Sequence, residues 1–518
     1  MKNNHYDVIV IGAGLGGLTG GCVFAQNNRK VLLIEQHSKV GGFATNFKRK
    51  DFVFDVSLHN MGPLYKNPGL LKIFQELNIL NKIEYIPFDE FQRTIFPKHD
   101  FVIPKGTENY IRFLKETFPN EAKGIDGVFK AMVDIYEEFQ EIENLKVPVS
   151  RLEEEFPLLP VKFPMLVTLV EKTFGQLMDD FISSRELKGI IGNSWWICGL
   201  PPSRLASILY SIPTVQYCNT AGGFIKGTSQ KLSNAISEQI KINKGRLLLN
   251  TRVEKIITDA GRVKGVSTDN NESFFAPVII SNSSPNDTIL KMLSEDEIDA
   301  EYRKRVENSK LSVSATQLFL GLSKNPCSSG MKNHGVAIFE TYNHDDCYEH
   351  VLNGDYKKSF CYITNYTQFD QTPAPEGKGV LNILTLDHIK NWENLSKDEY
   401  KEKKGRVTKI LIKKSEKIIP DLSRLIEVAE LATPVTMRRY TGNPDGAVYG
   451  FAQTNNQSGI NRFTHETPVK GLFLTGAYTY PGAGYSSVMS SGYKTAKLII
   501  EKGSGGNNDD RMETRGHP

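Results

Sequence analysis

Cysteine is scarce in this 518-residue chain. The six cysteines, Cys22, Cys198, Cys218, Cys327, Cys347 and Cys361, are scattered and form no CxxC pair. That pattern argues against a disulfide framework or a zinc site, and it fits a reducing compartment. No apolar run reaches the roughly 18 residues a spanning helix needs. Met1-Lys2-Asn3-Asn4 leads straight into a short apolar strand, not the apolar core of a secretory signal, so a cytoplasmic protein is expected. HExxH, GxSxG and a paired-carboxylate signature are all missing, so no metal site and no nucleophile elbow are expected. Neither charge dominates. With 63 basic and 59 acidic residues the net charge is +4, too little to support nucleic-acid binding without a concentrated patch. It is compatible with weak attraction to anionic lipid.

What is present concentrates in Tyr6 to Glu35, YDVIVIGAGLGGLTGGCVFAQNNRKVLLIE. An apolar run, Val8 to Ile11, ends in Gly12-Ala13-Gly14-Leu15-Gly16-Gly17. A helical segment and a second apolar run, Val31 to Ile34, follow, closed by Glu35. This reads as a βαβ unit that binds a dinucleotide. Gly12 permits the turn, Gly14 lets backbone N–H groups approach the pyrophosphate, and Gly17 lets the helix pack on the sheet. Leu15 opens the helix whose N-terminus faces the diphosphate. Glu35, 23 residues after Gly12, is placed for ribose hydroxyls. Gly41-Gly42, six residues beyond Glu35, is the paired-glycine loop that flavoproteins need and NAD domains do not, which selects FAD.

At this length two or more domains are expected. With 39% hydrophobic and 24% charged residues the chain can bury large cores. Asn67-Pro68 starts a helix, and residues 107–145 read as helical. Phe156 to Val170 is apolar but broken by Pro157, Pro160 and Pro164, which suits a buried loop–helix or an interfacial segment. Trp195-Trp196 suits a cavity wall or a core. Gly222 to Leu232 turns into a helix, strands follow over Leu247 to Ile257 and Val278 to Ile280, and Val253 is placed to offer its backbone to the adenine. Near the C-terminus a strand ends at Gly476-Ala477, and Pro481-Gly482-Ala483-Gly484 opens a helix from about Ser486 to Ile500. Gly476 permits close approach of the ribityl chain, and Ala477 and Gly484 complete the expected cofactor set.

The expected architecture is α/β: a discontinuous Rossmann-like FAD-binding domain from 1–66, 216–300 and 441–500, and an α+β substrate domain from 67–215 and 301–440. Residues 501–518 are expected to be a disordered tail.

The motifs GAGLGGL from Gly12, VGGFATNF from Val40, FDVSLHNMG from Phe54, GGFIKGTSQKL from Gly222, GNPDGAVYGFAQT from Gly442 and LTGAYTYPGAG from Leu474 carry a resemblance over residues 5–500. The chain resembles the phytoene desaturase, carotenoid isomerase and retinol saturase group of FAD-dependent oxidoreductases. It departs in having Ala477 where many such flavoproteins have an acidic residue, and Ser57 where glycine is common. The resemblance implies redox chemistry on carbon–carbon bonds of a carotenoid, retinoid or other unsaturated lipid. Cis–trans isomerisation with reduced FAD and flavin amine oxidation are the alternatives, and a non-catalytic flavin-binding scaffold is a fourth reading. It also places His59 beside the flavin ring, where a histidine can donate a proton or orient the substrate. Tyr449, Tyr485, Arg438 and Arg439 are weaker candidates. The expected partners are a hydrophobic unsaturated small molecule and peripheral membrane, without nucleic acid; the electron partner is open.

Overall fold

The computed structural model describes residues 4–144 and 159–504. A five-stranded parallel sheet is ordered Leu472–Leu474, Val278–Ser281, Val8–Ile11, Val31–Ile34, Arg246–Leu248. Val8–Ile11 and Val31–Ile34 are buried along their whole length. A parallel strand covered on both faces has no solvent side, so it reads as a continuous apolar run. Each strand pairing brings a distant stretch of sequence to the glycine turn after Ile11.

The helix Leu15–Gln26 packs against the last helix, Tyr485–Ser504. Their approach depends on small residues, since a Cβ on Gly492 would lie 2.1 Å from the Gly16 carbonyl oxygen. The last helix includes residues 501–504, which were expected to be tail. Ile499 and Ile500 pack on the core and Lys502 pairs with Glu466, which carries the helix onward. Residues 505–518 lie outside the described residues.

The expected strand Leu247 to Ile257 is two strands. Arg246–Leu248 joins the parallel sheet, and Val253–Asp259 starts an antiparallel ribbon with Arg262–Thr268 and Ser273–Phe275. The expected helix over 107–145 is likewise divided, into Thr107–Thr117 and Ala122–Asn144, because Pro119 interrupts it.

A seven-stranded sheet runs Ile426–Ala432, Ser314–Leu322, Gly379–Asp387, Cys361–Asn365, Gly335–Ile338, Arg93–Ile95, Asp100–Val102. It is antiparallel except between Gly335–Ile338 and Arg93–Ile95. Helices Ala122–Asn144, Pro164–Leu169 and Ser207–Thr220 pack on one another. Pro68 does occupy the first turn of a helix, Pro68–Glu76, with Asn67 Oδ1 accepting from the Leu70 N–H at 3.0 Å. Among the described residues no helix is long and apolar enough to cross a membrane.

Candidate active site

The glycine turn sits at the C-terminal ends of the parallel strands. The Gly12 N–H donates to the Ile34 carbonyl at 2.8 Å, and the Ala13 N–H donates to Glu35 Oε2 at 2.7 Å. Glu35 Oε1 accepts from the His37 N–H at 2.8 Å, so the carboxylate is fixed on the second strand. Burial pushes its pKa up. A Cβ on Gly17 would stand 2.1 Å from the Gly12 carbonyl oxygen, so only glycine closes this turn on its helix.

One continuous cavity of about 2240 Å³ starts here. Gly12, Gly14, Leu15, Glu35, Gly41, Gly42, His59, Val253, Ala477 and Gly484 all line it. Gly17 and Gly476 stand just behind the wall. Gly476 packs on Gly16, where an added Cβ would lie 3.1 Å from the Gly476 Cα. Asn282 sits at the centre of these glycines. Added Cβ atoms on Gly14, Gly16 and Gly476 would fall 2.7, 2.6 and 2.4 Å from its amide atoms. Nothing in the sequence beyond the end of an apolar strand marked Asn282.

The cradle fits a dinucleotide. It has a helix N-terminus, a fixed carboxylate on the second strand, and a floor that side chains larger than glycine would fill. The cavity also exceeds the roughly 300–1,000 Å³ of an ordinary small-molecule pocket, so it has room for a dinucleotide and a second extended molecule.

One part of the cavity is an apolar chamber. Phe139, Ile142, Phe163, Leu166 and Val170 line it from the helices around residues 122–170, and Ile208, Leu209 and Ile212 from Ser207–Thr220. Trp196 and Tyr362 close it with ring centroids 4.3 Å apart. The tryptophan pair splits. Trp196 lines the cavity, while Trp195 is in the core, donating Nε1–H to His344 Nδ1 at 2.9 Å. The Tyr449 hydroxyl donates to the Trp196 carbonyl at 2.8 Å. Arg438 and Arg439 are exposed residues at the cavity rim.

His59 stands where cradle and apolar chamber meet. It is buried, packs edge-on against Tyr362 at 5.9 Å, and contacts Thr364 Oγ1 through Nδ1 at 2.8 Å. Its Nε2 has no partner among the described residues. Burial, with the neighbouring His334, lowers its pKa to about 3, so the imidazole is neutral. The loop carrying it is anchored by Asp55, whose carboxylate accepts from the N–H groups of Ser229, Leu58 and Ser57 at 2.5, 2.8 and 3.1 Å. Burial pushes Asp55 up to about 6. Ser57 Oγ donates to the Phe43 carbonyl at 2.9 Å and lies 3.0 Å from the Tyr485 hydroxyl, so this hydroxyl ties three segments together where glycine would tie none. The anchoring role of Asp55 has no sequence signal, because its partner at Ser229 is 174 residues away.

Comparison with known proteins gives the same picture. The chain is 28% identical to prolycopene isomerase 1 of an Oncidium hybrid cultivar over 520 residues, covering 96% of this chain and 85% of that one. It is 24% identical to the all-trans-retinol 13,14-reductase of Danio rerio, covering 91% of this chain and 82% of the other. An oxidoreductase from Methanosarcina mazei shares the fold, with a TM-score of 0.62 at 16% identity over 96% of this chain and all of that one. Residues 15–500 match the family described as flavin containing amine oxidoreductase. A flavin held in a dinucleotide cradle is FAD, and this chain is an FAD-dependent oxidoreductase of the flavin containing amine oxidoreductase family.

Proposed function

We propose that the enzyme acts on a carbon–carbon double bond of a carotenoid, retinoid or related unsaturated lipid, by saturation or desaturation. The observation that carries this is the continuity of the glycine-lined cradle with a chamber walled by Trp196, Tyr362, Phe139, Ile208 and Ile212. A polyene has almost no polar handle, so its binding draws on buried apolar area at roughly 25 cal/mol per Å². FAD supplies hydride transfer when bound. Gly12, Gly14, Leu15, Gly17, Glu35, Gly41, Gly42, Val253, Gly476, Ala477 and Gly484 form its binding set, in a discontinuous domain drawn from 1–66, 216–300 and 441–500. Segments 67–215 and 301–440 build the chamber. His59, neutral and joined to Thr364, orients the reacting bond; an imidazole with its pKa near 3 holds no spare proton at neutral pH.

The prolycopene isomerase relative favours a second reading, cis–trans isomerisation in which reduced FAD is not consumed. Anaerobic incubation of holoprotein with prolycopene and with all-trans-retinol separates the two, using oxidised and pre-reduced FAD. Stoichiometric flavin turnover with a change in double-bond count supports redox chemistry. A changed isomer ratio with the flavin still reduced supports isomerisation. Flavin reduction by small amines alone would replace both with amine oxidation.

Substrates of this class live in bilayers, so the protein takes them from a membrane surface. Val161 and Val167 are 75% and 44% exposed on the helices Leu159–Lys162 and Pro164–Leu169, beside the cavity-lining Phe163 and Leu166. Of the apolar segment Phe156 to Val170 suggested by sequence, residues 156–158 lie outside the described residues.

A further inference from the structure

Arg462 is buried to 2% exposure, yet among the described residues it pairs with no carboxylate. Its hydrogen bonds all go to neutral acceptors. Nη1 donates to Gln453 Oε1 at 3.0 Å and to the Gln457 carbonyl at 3.3 Å. Nη2 donates to the carbonyls of Tyr449, at 3.3 Å, and of Ala477. Nε has no partner. A guanidinium remains charged at neutral pH even when buried, and a buried charge without a counter-charge is costly. Carbonyl dipoles offset part of that cost and leave a net positive site.

The site adjoins the cofactor cavity. Arg462 and Gln453 both line it. The atoms nearest to a Cβ on Gly482 would be Arg462 Nε and Gln453 Nε2, both 3.6 Å away and both N–H donors. Gly482 belongs to the segment that leads from Gly476, beside the glycine turn, to Tyr485, where the 20-residue last helix begins. The N-terminus of that helix adds a partial positive charge to the same stretch of wall. A buried cation and a helix N-terminus therefore flank one short segment, and Ala477 leaves that segment without the acidic side chain common at its position.

We propose that Arg462, together with the N-terminus of helix Tyr485–Ser504, is the counter-charge for the anion that FAD becomes on reduction. Uptake of two electrons and one proton leaves the flavin with one negative charge, carried on its pyrimidine edge. The inference rests on the cofactor assignment above, with the flavin ring lying along residues 476–485. Arg462 is a positioning and charge-balancing residue for the cofactor, and its effect is on the potential.

The test is the midpoint potential of the FAD-loaded protein, measured by xanthine oxidase reduction against reference dyes. Arg462→Gln should retain FAD and lose stabilisation of the reduced form by tenfold or more, a midpoint lower by about 30 mV for a two-electron couple. Arg462→Lys should lie between Gln and wild type. An unchanged midpoint in FAD-loaded Arg462→Gln overturns the proposal and assigns the cation to a substrate anion or to folding alone. If that variant does not fold, the wild-type protein decides. Its reduced flavin should show the absorbance of the anionic form at mildly acidic pH, where free reduced flavin is neutral, and a neutral spectrum there overturns the proposal. A protein that releases no FAD on acid treatment overturns the cofactor assignment as well.

Discussion

The Asp55 carboxylate accepts the Ser229 N–H at 2.5 Å, joining two residues 174 positions apart. Through this bond the loop that ends in His59 is tied to the start of the helix Ser229–Ile242. Asp55→Ala leaves several buried N–H donors without an acceptor. At about 1–3 kcal/mol for each unsatisfied group, chemical denaturation should show a loss of about 3 kcal/mol or more. A stability within a few tenths of a kcal/mol of wild type would show that the loop is held by other contacts.

Gly17→Ala should abolish FAD retention. The new Cβ would meet the Gly12 carbonyl oxygen at 2.1 Å, and two backbones would have to part. The purified variant should be colourless after reconstitution with FAD. Gly14→Val should act in the same direction, since its branched side chain projects into the cradle beside Asn282.

His59→Ala should lower turnover by about tenfold to a hundredfold, the usual cost of a mispositioned reacting group. FAD content should be unchanged, because none of the hydrogen bonds of Glu35 involves His59. Steady-state kinetics with a flavin absorbance check reads both. Full activity in the variant would assign His59 a packing role.

Acid should destabilise the protein. Burial lowers His59 to about 3 and His334, His344 and His465 to about 4. The unfolded chain binds protons at these four sites below about pH 6.5 while the folded chain does not. Stability therefore falls as pH drops from 6.5 towards 4, by up to about 1.4 kcal/mol per pH unit for each imidazole. Asp55 and Glu35, raised by burial, act in the opposite sense, because the folded state keeps their protons longer. The four imidazoles outnumber them. Denaturation midpoints across this range should fall steadily on acidification, and a flat profile would place these histidines in contact with water.

Leu166→Asp and Val167→Asp should weaken flotation of the protein with liposomes, since both replace apolar groups at the chamber's outer helices. Equal flotation, or none by the intact protein, would count against a membrane contact at these helices. Leu158, a natural third target, lies outside the described residues.

The glycine turn and the helix it opens were legible in the sequence because their signals are local. A turn that needs glycine, a helix N-terminus and a closing carboxylate all fall within thirty residues, and backbone sterics dictate each. The C-terminal Gly476 segment was legible for the same reason, as a strand that ends in glycine and restarts as a helix. The meeting of distant polar groups was not legible. Asn282 among five glycines, Asp55 on Ser229, His59 on Thr364 and Arg462 beside Gly482 each depend on strand pairing or loop packing across long separations. A lone asparagine, aspartate or arginine has no periodicity to betray its burial. The sequence by itself determined that the chain is an FAD-dependent oxidoreductase and that a glycine turn joins its first strand to its first helix. Only the tertiary structure decided that Trp196 faces the cavity while Trp195 does not, and that Arg462, with no carboxylate partner among the described residues, stands at the cavity wall. Burial and charge balance are properties of neighbours, and neighbours are set by the fold.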